Sequence, residues 1–383
     1  MKRLRLGFVG AGAINLRLMP HFAVDDTASV VQVTGVCDPV VERAEKAAAR
    51  FSAGDCDAYG SLDDMLADDK IDAVTIGSPI GLHYEHVLAA LNAGKHVHVN
   101  KTMSVTTAQA DDLIAAAARN DVRLVASPGE MLRPHNQRIK EMIEGGEIGQ
   151  LVWAACGAAF GNYHSAEPER QGTDAVSNVD PTWYFKKPGG GPLYDLTVYC
   201  LHGLTGILGP VRRITALSGT VVPQRMVNNT PVKVEAHDNT VMLLDFGANR
   251  FAFAYGTAAG NLTEGVEFDF SGRYYGTEGE IIGLNLNGHP FDYPGKKVAA
   301  EAPDKGVHPN FGGNELILPH ATEAHWHLQE LHVYEDIMQM VDWALDGRPS
   351  IATAEHARHV IEIIEKAYEA ARTGETQTLT TSF

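Results

Sequence analysis

Four side chains of this 383-residue chain combine the types and settings that proton transfer needs: Lys101, Asp195, Tyr199 and His202. Lys101 follows an apolar run that predicts a strand over Lys95–Val99. An ammonium at such a strand end, partly desolvated, has a lowered pKa and can assist formation of an alkoxide. Asp195, Tyr199 and His202 are spaced i, i+4, i+7 in a predicted helix, Pro192–Leu208, which sets all three on one face. Leu193, Leu196, Val198, Leu201 and Leu204 make that helix apolar all round, so it is expected to be buried, and buried polar groups require partners or a ligand. His202 admits two readings, a substrate contact or a satisfied core histidine.

A second constellation points to a phosphate-bearing cofactor. The apolar run Leu4–Val9 leads into Gly10-Ala11-Gly12 and then a predicted helix beginning near Ala13. Gly10 permits a tight turn, Gly12 lets the backbone approach a pyrophosphate, and the helix start directs free N–H groups at it. The third glycine of the G-x-G-x-x-G fingerprint is replaced by Asn15. Asp38 ends the next predicted strand, Val30–Cys37, where a carboxylate accepts the adenine-ribose hydroxyls and repels a 2′-phosphate, so NAD is read over NADP. Asp38 also suits the N-cap of the following helix, and both roles can coexist.

These residues need a scaffold, and the chain spells one. Strands and helices alternate through the first third: strands at Ile71–Ile76, Lys95–Val99 and Arg123–Ala126, helices at Leu16–Val24 (shortened by Pro20), Glu42–Phe51, Leu62–Leu66, His83–Ala93 and Thr107–Asn120. This predicts a doubly wound parallel sheet over residues 1–127 with its ligand crevice at the carboxyl ends of the strands. Asp38, Ser78, Asn100, Lys101 and Gly129 all fall at such ends. From residue 128 to 383 an α+β domain with a large, open, mainly antiparallel sheet is expected, with strands at Leu151–Phe160, Arg212–Val222, Val232–Phe246, Arg250–Thr257, Gly265–Ser271 and Glu278–Leu284. The helix of Asp195 follows the run Trp183–Gly191.

Composition narrows the partners. A formal charge of −17 disfavours nucleic acid and anionic membrane, which need a basic footprint. No apolar run reaches membrane-spanning length, and Cys37, Cys56, Cys156 and Cys200 have neither C-x-x-C nor framework spacing, so a reducing, cytoplasmic setting is expected. Arg133, His135, Arg138, Arg170, Lys186 and Lys187 form a candidate basic patch favouring an anionic substrate. His320, His325, His327 and His332 invite a metal reading, but their spacing matches no closed site, so no metal is expected and pocket lining or a subunit contact is preferred.

Four local motifs, in order across most of the chain, resemble the Gfo/Idh/MocA oxidoreductases. They are Gly10–Asn15, Ser78-Pro79 with His83, the strand-end lysine of Gly94–Lys101, and Gly189-Gly-Gly-Pro-Leu-Tyr-Asp195. The resemblance implies an NAD cofactor held by Gly10, Gly12, Ala13, Ile14, Asn15, Asp38, Ser78, Pro79, His83, Asn100 and Lys101. It implies a carbohydrate-like substrate met by Arg133, His135, Trp183, Lys186, Asp195, Tyr199 and His202. It also implies a homodimer or homotetramer formed through the open sheet. Two departures mark this chain. The usual Glu-Lys-Pro is Asn100-Lys101-Thr102, which removes a negative neighbour of the lysine. The usual catalytic histidine is Tyr199, as in the glucose–fructose oxidoreductase and dihydrodiol dehydrogenase branch; there the lysine ammonium is expected to lower the tyrosine pKa and make a coupled acid–base pair. Three activities fit the resemblance. The first is hydride transfer at a sugar or cyclitol hydroxyl. The second is an NAD-dependent glycoside hydrolase that oxidises, eliminates, hydrates and reduces, as sulfoquinovosidase-like relatives do, with His202, His135 or another histidine as a second base. The third is a non-catalytic NAD-binding regulator.

Overall fold

In the computed structural model, which describes residues 3–51, 55–161, 168–260, 272–302 and 312–383, the first sheet is parallel. Its strands are β1 Leu4–Val9, β2 Val31–Cys37, β3 Asp57–Tyr59, β4 Ala73–Ile76, β5 His96–Val99 and β6 Leu124–Ala126, in the order β3-β2-β1-β4-β5-β6. Strand order reverses between β1 and β4, the switch point where open α/β sheets bind their ligands. The helices between strands are α1 Ala13–Leu18, α2 Asp25–Ala28, α3 Val41–Phe51, α4 Leu62–Ala67, α5 His83–Asn92 and α6 Thr107–Arg119. The predicted helix Leu16–Val24 is cut short: α1 ends at Leu18 and a 3₁₀ turn, Met19–Ala23, takes over. Pro20 offers no N–H for an α-helical bond, so the tighter turn replaces it. The short edge strand β3 carries too few residues to show a period and escapes the sequence pattern.

The second sheet joins nine strands among the described residues: β7 Leu151–Ala159, β8 Arg213–Gly219, β11 Asn239–Gly247, β12 Arg250–Thr257, β13 Arg273–Gly276, β14 Glu280–Ile282, β15 Asn285–Leu286, β16 His289–Pro290 and β17 Gln377–Thr378. A separate hairpin pairs β9 Gln224–Val227 with β10 Thr230–Lys233. The predicted strand Val232–Phe246 is therefore two strands in different sheets. Every ladder of the large sheet is antiparallel except β7 with β12. The predicted strand Gly265–Ser271 lies outside the described residues.

The helices α7 Pro134–Glu144, α8 Val198–Leu208, α9 Lys296–Ala300, α10 Leu331–Asp346 and α11 Ala354–Thr373 complete the chain. Every residue of α8 is buried, as its apolar perimeter requires. α10 packs Leu331, Val333, Ile337 and Val341 with Leu4, Leu6 and Phe8 of β1. α11 gives Ile361 to the first sheet's core and Val360, Ile363 and Ile364 to the second's, so it pins the two sheets together. Among the described residues, no helix is long and apolar enough to cross a membrane.

The tail is held against α11 by one carboxylate. Glu362, 3% exposed, accepts bonds from the N–H and hydroxyl of both Thr380 and Thr381, at 2.6–2.9 Å. Burial alone would raise its pKa, but these donors, led by the Thr381 hydroxyl, outweigh burial and hold it below its ordinary value of 4.5. A depressed carboxylate stabilises the fold above the unfolded value and loses that contribution as pH falls through the folded one. We expect Glu362→Gln to lower unfolding free energy by roughly 1–2 kcal/mol at neutral pH, a deficit that shrinks on acidification through about 4.5; chemical denaturation along a pH series measures it.

Candidate active site

A cavity of about 770 Å³ runs along the carboxyl ends of the first sheet and into the second half of the chain, within the range of small-molecule sites. The glycine turn forms one end. Gly10 sits at φ +86°, and the space beyond Gly12 is open to Val179 at 4.0 Å. Gly10, Gly12, Ala13 and Ile14 line the cavity. Asn15 does not; it is 1% exposed, and its amide donates to the carbonyls of Val9 (3.0 Å) and Gly10 (2.6 Å). A Cβ on Gly77 would collide with that amide. Asn15 thus braces the turn from behind, which corrects its reading as a cofactor contact and explains how the turn manages without a third glycine. The turn, the helix start and Asp38 fit a dinucleotide.

Asp38 is more engaged than its position alone suggests. Its carboxylate accepts from Ala11 N (3.0 Å), Val40 N (2.9 Å) and Arg43 Nη1 (3.1 Å), so it braces the turn, bonds the residue just before α3 and pairs with an arginine at once. Arg43 lines the cavity and also donates to Ala175 O (2.8 Å). The segment carrying Ala175 comes from the second half of the chain and lies along the cofactor end. Arg17 bonds Glu169 at 2.5 Å and Lys46 bonds Asp174 at 2.6 Å, while Arg170, Val179 and Asp180 line the wall.

Ser78, Pro79, His83, Asn100 and Lys101 line the cavity. The ring nitrogens of His83 lie 2.7 Å from Ser78 O and from Thr102 O, tying the β4 loop to the lysine loop. Asn100 Oδ1 accepts the Lys101 N–H (2.8 Å). Thr102, in the usual proline's place, donates to Tyr194 O at 2.6 Å, and the Lys101–Thr102 peptide is cis. Lys101 Nζ reaches both Asp195 Oδ1 (2.6 Å) and Asp195 O (2.7 Å). Asp195 therefore supplies the negative neighbour that Asn100 does not.

The predicted helix Pro192–Leu208 starts with a π turn, Leu193–Thr197, before α8. Gly256 of β12 leaves room for Thr197 at this wide turn. The i→i+5 bonding advances each residue by less than the α-helical angle, so Asp195 and Tyr199 still face the cavity while His202 is rotated away. His202 is 3% exposed and lies against the His356 ring, centroids 4.6 Å apart; it belongs to the core. His135 is likewise buried, edge-on to Tyr293, and Arg133, 2% exposed, pairs with Glu130 at 3.2 Å. None of the three lines the cavity, which corrects their reading as substrate contacts. Buried polar residues and site residues look alike in sequence. Trp183 and Lys186 do line it.

Tyr199 is 6% exposed. Lys101 Nζ stands 5.3 Å from its ring centroid, yet its pKa lies well above 10, not below it. Burial raises it first, and Glu330, Asp195, Glu130 and Asp336 add to the rise. The expected lowering by one ammonium is overridden. Its hydroxyl lies 3.0 Å from His332 Nε2, whose Nδ1 meets Glu315 Oε1 at 2.5 Å. Glu315, His332 and the cavity-lining Glu330, Arg17 and Phe160 were not expected as a group. Of these, the histidine-rich run was the sequence's signal, read there as pocket lining or a subunit contact rather than a metal site. The run disperses: His320 meets Glu335 (3.0 Å), His325 stacks beside His21, His327 lines a shallow groove, and His332 meets Tyr199.

A parallel switch-point sheet with a glycine turn, joined to an open sheet whose helix brings an Asp–Tyr pair onto a strand-end lysine, defines a two-part NAD-binding oxidoreductase. Family models agree on both parts: the oxidoreductase family with NAD-binding Rossmann fold over residues 4–127 and the GFO/IDH/MocA C-terminal domain over 136–282. The chain belongs to the Gfo/Idh/MocA oxidoreductases. It is 31% identical over 210 residues to dTDP-3,4-didehydro-2,6-dideoxy-alpha-D-glucose 3-reductase of Streptomyces antibioticus, covering 54% of this chain and 58% of that one. It is 26% identical over 263 residues to D-xylose 1-dehydrogenase (NADP(+)) of Hypocrea jecorina, covering 68% and 65%. The matched region thus spans somewhat over half of these relatives' length. In fold it is similar to an Agrobacterium radiobacter oxidoreductase solved with NAD+, L-tartaric acid and magnesium, at TM-score 0.70 and 19% identity over 98% of both chains.

Asp38, which the sequence reading assigns to the ribose hydroxyls, also restrains Arg43, a cation suited to a 2′-phosphate. Asp38→Ala is expected to raise Kd for NAD roughly tenfold and to improve NADP binding, about 1.4 kcal/mol for each tenfold change. Adding Arg43→Ala should abolish the NADP gain. Titration of both cofactors by fluorescence checks this.

Proposed function

We propose that this protein is an NAD-dependent dehydrogenase or reductase working at a hydroxyl-bearing carbon of an uncharged sugar or cyclitol. The observation that carries the reading is the Lys101–Asp195 pair beside Tyr199 at the inner end of the cofactor cavity. Asp195 uses two oxygens to hold the lysine, and an ammonium has three donors. The remaining N–H is available to a substrate oxygen, where it orients the hydroxyl and stabilises the developing alkoxide. Trp183 offers a flat apolar wall to a ring. The bound nicotinamide supplies the hydride acceptor or donor.

Charge pairing favours a neutral substrate over the anionic one suggested by the basic residues. Lys101 faces Asp195, Arg17 faces Glu169 and Glu330, Lys186 faces Glu235 at 3.4 Å, and Arg43 faces Asp38. Arg138 is engaged with Glu141 and Glu147. The dehydrogenase reading is put ahead of the NAD-dependent glycosidase because two of the histidines named for its second base, His202 and His135, lie off the cavity wall; of the other histidines, His83 and His86 line it.

The test mixes protein and NAD with free sugars, inositols and aryl glycosides, neutral and anionic, following NADH absorbance and released aglycone together. NADH should accumulate with a neutral polyol, and Lys101→Met should lower kcat/KM by about 10³-fold with NAD affinity kept within a few-fold. NAD-dependent aglycone release without net NADH would overturn the dehydrogenase in favour of the glycosidase.

We also infer a subunit contact on the outer face of the large sheet. Cross-strand rows there leave apolar side chains in solvent: Leu217 beside Val241, Leu243 beside Phe253, and Phe251 beside Trp153. Leu217 is 73% and Leu243 61% exposed, a contiguous patch of the kind that marks an interface. Light scattering should report a dimer or tetramer, and Leu217→Lys with Leu243→Lys should shift it toward the monomer; a monomeric wild type would refute the contact.

A further inference from the structure

We propose that Tyr199, His332 and Glu315 form a proton relay that takes up the substrate hydroxyl proton, with His332 as its acceptor and Glu315 as its counter-charge. This rests on the dehydrogenase reading above and assigns the base that the reading leaves open. Lys101 cannot be that base while its ammonium is bonded to two oxygens of Asp195.

The relay takes Glu315 as ionised; a carboxylate only accepts, so across the 2.5 Å contact between Glu315 Oε1 and His332 Nδ1 the relay has its proton on Nδ1. The neutral ring then has an acceptor at Nε2, which takes the Tyr199 O–H at 3.0 Å. The tyrosine spends its proton on histidine, so toward a substrate hydroxyl its oxygen acts as an acceptor. All three groups are buried, at 6%, 5% and 0% exposure for Tyr199, His332 and Glu315. Burial keeps the resting imidazole neutral, its pKa pushed down to about 3, and keeps the phenol protonated. Facing the ring are Glu315, 2.5 Å from Nδ1; Glu330, whose carboxylate is 3.9 Å from Nε2; and the opposing cations Lys101 and Arg133. Burial also makes the Glu315 contact strong once the ring is charged, since a charge-assisted bond gains in a low dielectric.

The step balances. As the carbinol C–H leaves with its electron pair for the nicotinamide, the substrate O–H breaks and its proton moves to Tyr199 Oη. The phenolic proton moves to His332 Nε2. The products are a carbonyl, reduced cofactor and an imidazolium paired with Glu315; reduction of the carbonyl runs the same path backwards. Tyr199 contacts the substrate, whereas His332 and Glu315 act through it.

Solvent isotope effects read the relay. With a substrate found in the panel, kcat against deuterium fraction should be curved for the wild type, because two protons move in one step. His332→Gln keeps a hydrogen-bond partner for Tyr199 but cannot accept a proton; it should lower kcat about 10²-fold, straighten the plot and leave KM and NADH affinity within about twofold. Glu315→Gln keeps an acceptor for Nδ1–H and removes its charge; it should lower kcat about tenfold with the curvature retained. NADH fluorescence reports folding of both, and if His332→Gln fails to bind cofactor, Glu315→Gln decides. A linear wild-type plot, or variants that keep wild-type kcat and curvature, overturns the relay while leaving the dehydrogenase intact. A wild type that turns over no polyol overturns both.

Discussion

The contact on which the structure depends is the ion pair between Lys101 and Asp195, 2.6 Å long and nearly sealed from water. Its partners come from different halves of the chain, the lysine from just beyond β5 and the aspartate from the π turn before α8. A buried pair is costly to form, because both charges give up hydration, and costlier to leave half-made. Either residue alone would be an uncompensated buried charge, so the pair forms only when the two halves of the chain dock in register. The neighbouring bond from Thr102 to Tyr194 O adds a second check on that register. The same contact that orients the lysine for chemistry therefore selects the arrangement of the sheets.

Neutralisation extends from that pair to the whole cavity. The chain is strongly acidic, and a cleft lined with arginines and lysines reads as an anion site when each is considered singly. Folding brings carboxylates from distant segments to some of them, Glu169 and Glu330 to Arg17 and Glu235 to Lys186, while Asp38 answers Arg43 locally. The result is a site of fixed dipoles and paired charges in which polar hydroxyls can be oriented without paying for an unmatched charge. It also explains why the tyrosine behaves differently from a tyrosine beside an isolated ammonium. Lys101 is already answered by Asp195, so burial and the surrounding carboxylates decide the phenol's protonation.

Much of this was legible in local sequence. The glycine turn, Asp38, the strand-end lysine and the buried polar helix each depend on residues close together in the chain, and periodicity reports such patterns well. What escaped depended on contacts between distant segments or on a change of helical pitch. Asn15 occupies a cofactor-binding position in the motif, but its amide turns inward because Gly77 leaves space for it. His202 follows Asp195 at ideal α-helical spacing, but the π turn rotates it into the core. Val232–Phe246 reads as one strand because both of its parts alternate, although they pair in different sheets. Glu315 and His332 stand more than a hundred residues from Tyr199, and nothing in their local pattern connects them.

The site's dependence on the C-terminal helices follows from the same geometry. A largely buried phenol in the cavity wall can pass on a proton taken from a substrate only through a polar neighbour that is itself buried. His332, at the start of α10, meets that need because Leu331 and Val333 on either side of it are sunk into the core beneath β1. The apolar flanks fix the backbone, the backbone fixes the ring, and Glu315 fixes the ring's proton. α10 thereby joins the core of the cofactor-binding sheet to a tyrosine carried by the second half of the chain. A disturbance in that core need not touch the cavity to reach the chemistry; displacing α10 by a fraction of an ångström would lengthen the Tyr199–His332 bond and slow proton movement before it altered cofactor binding.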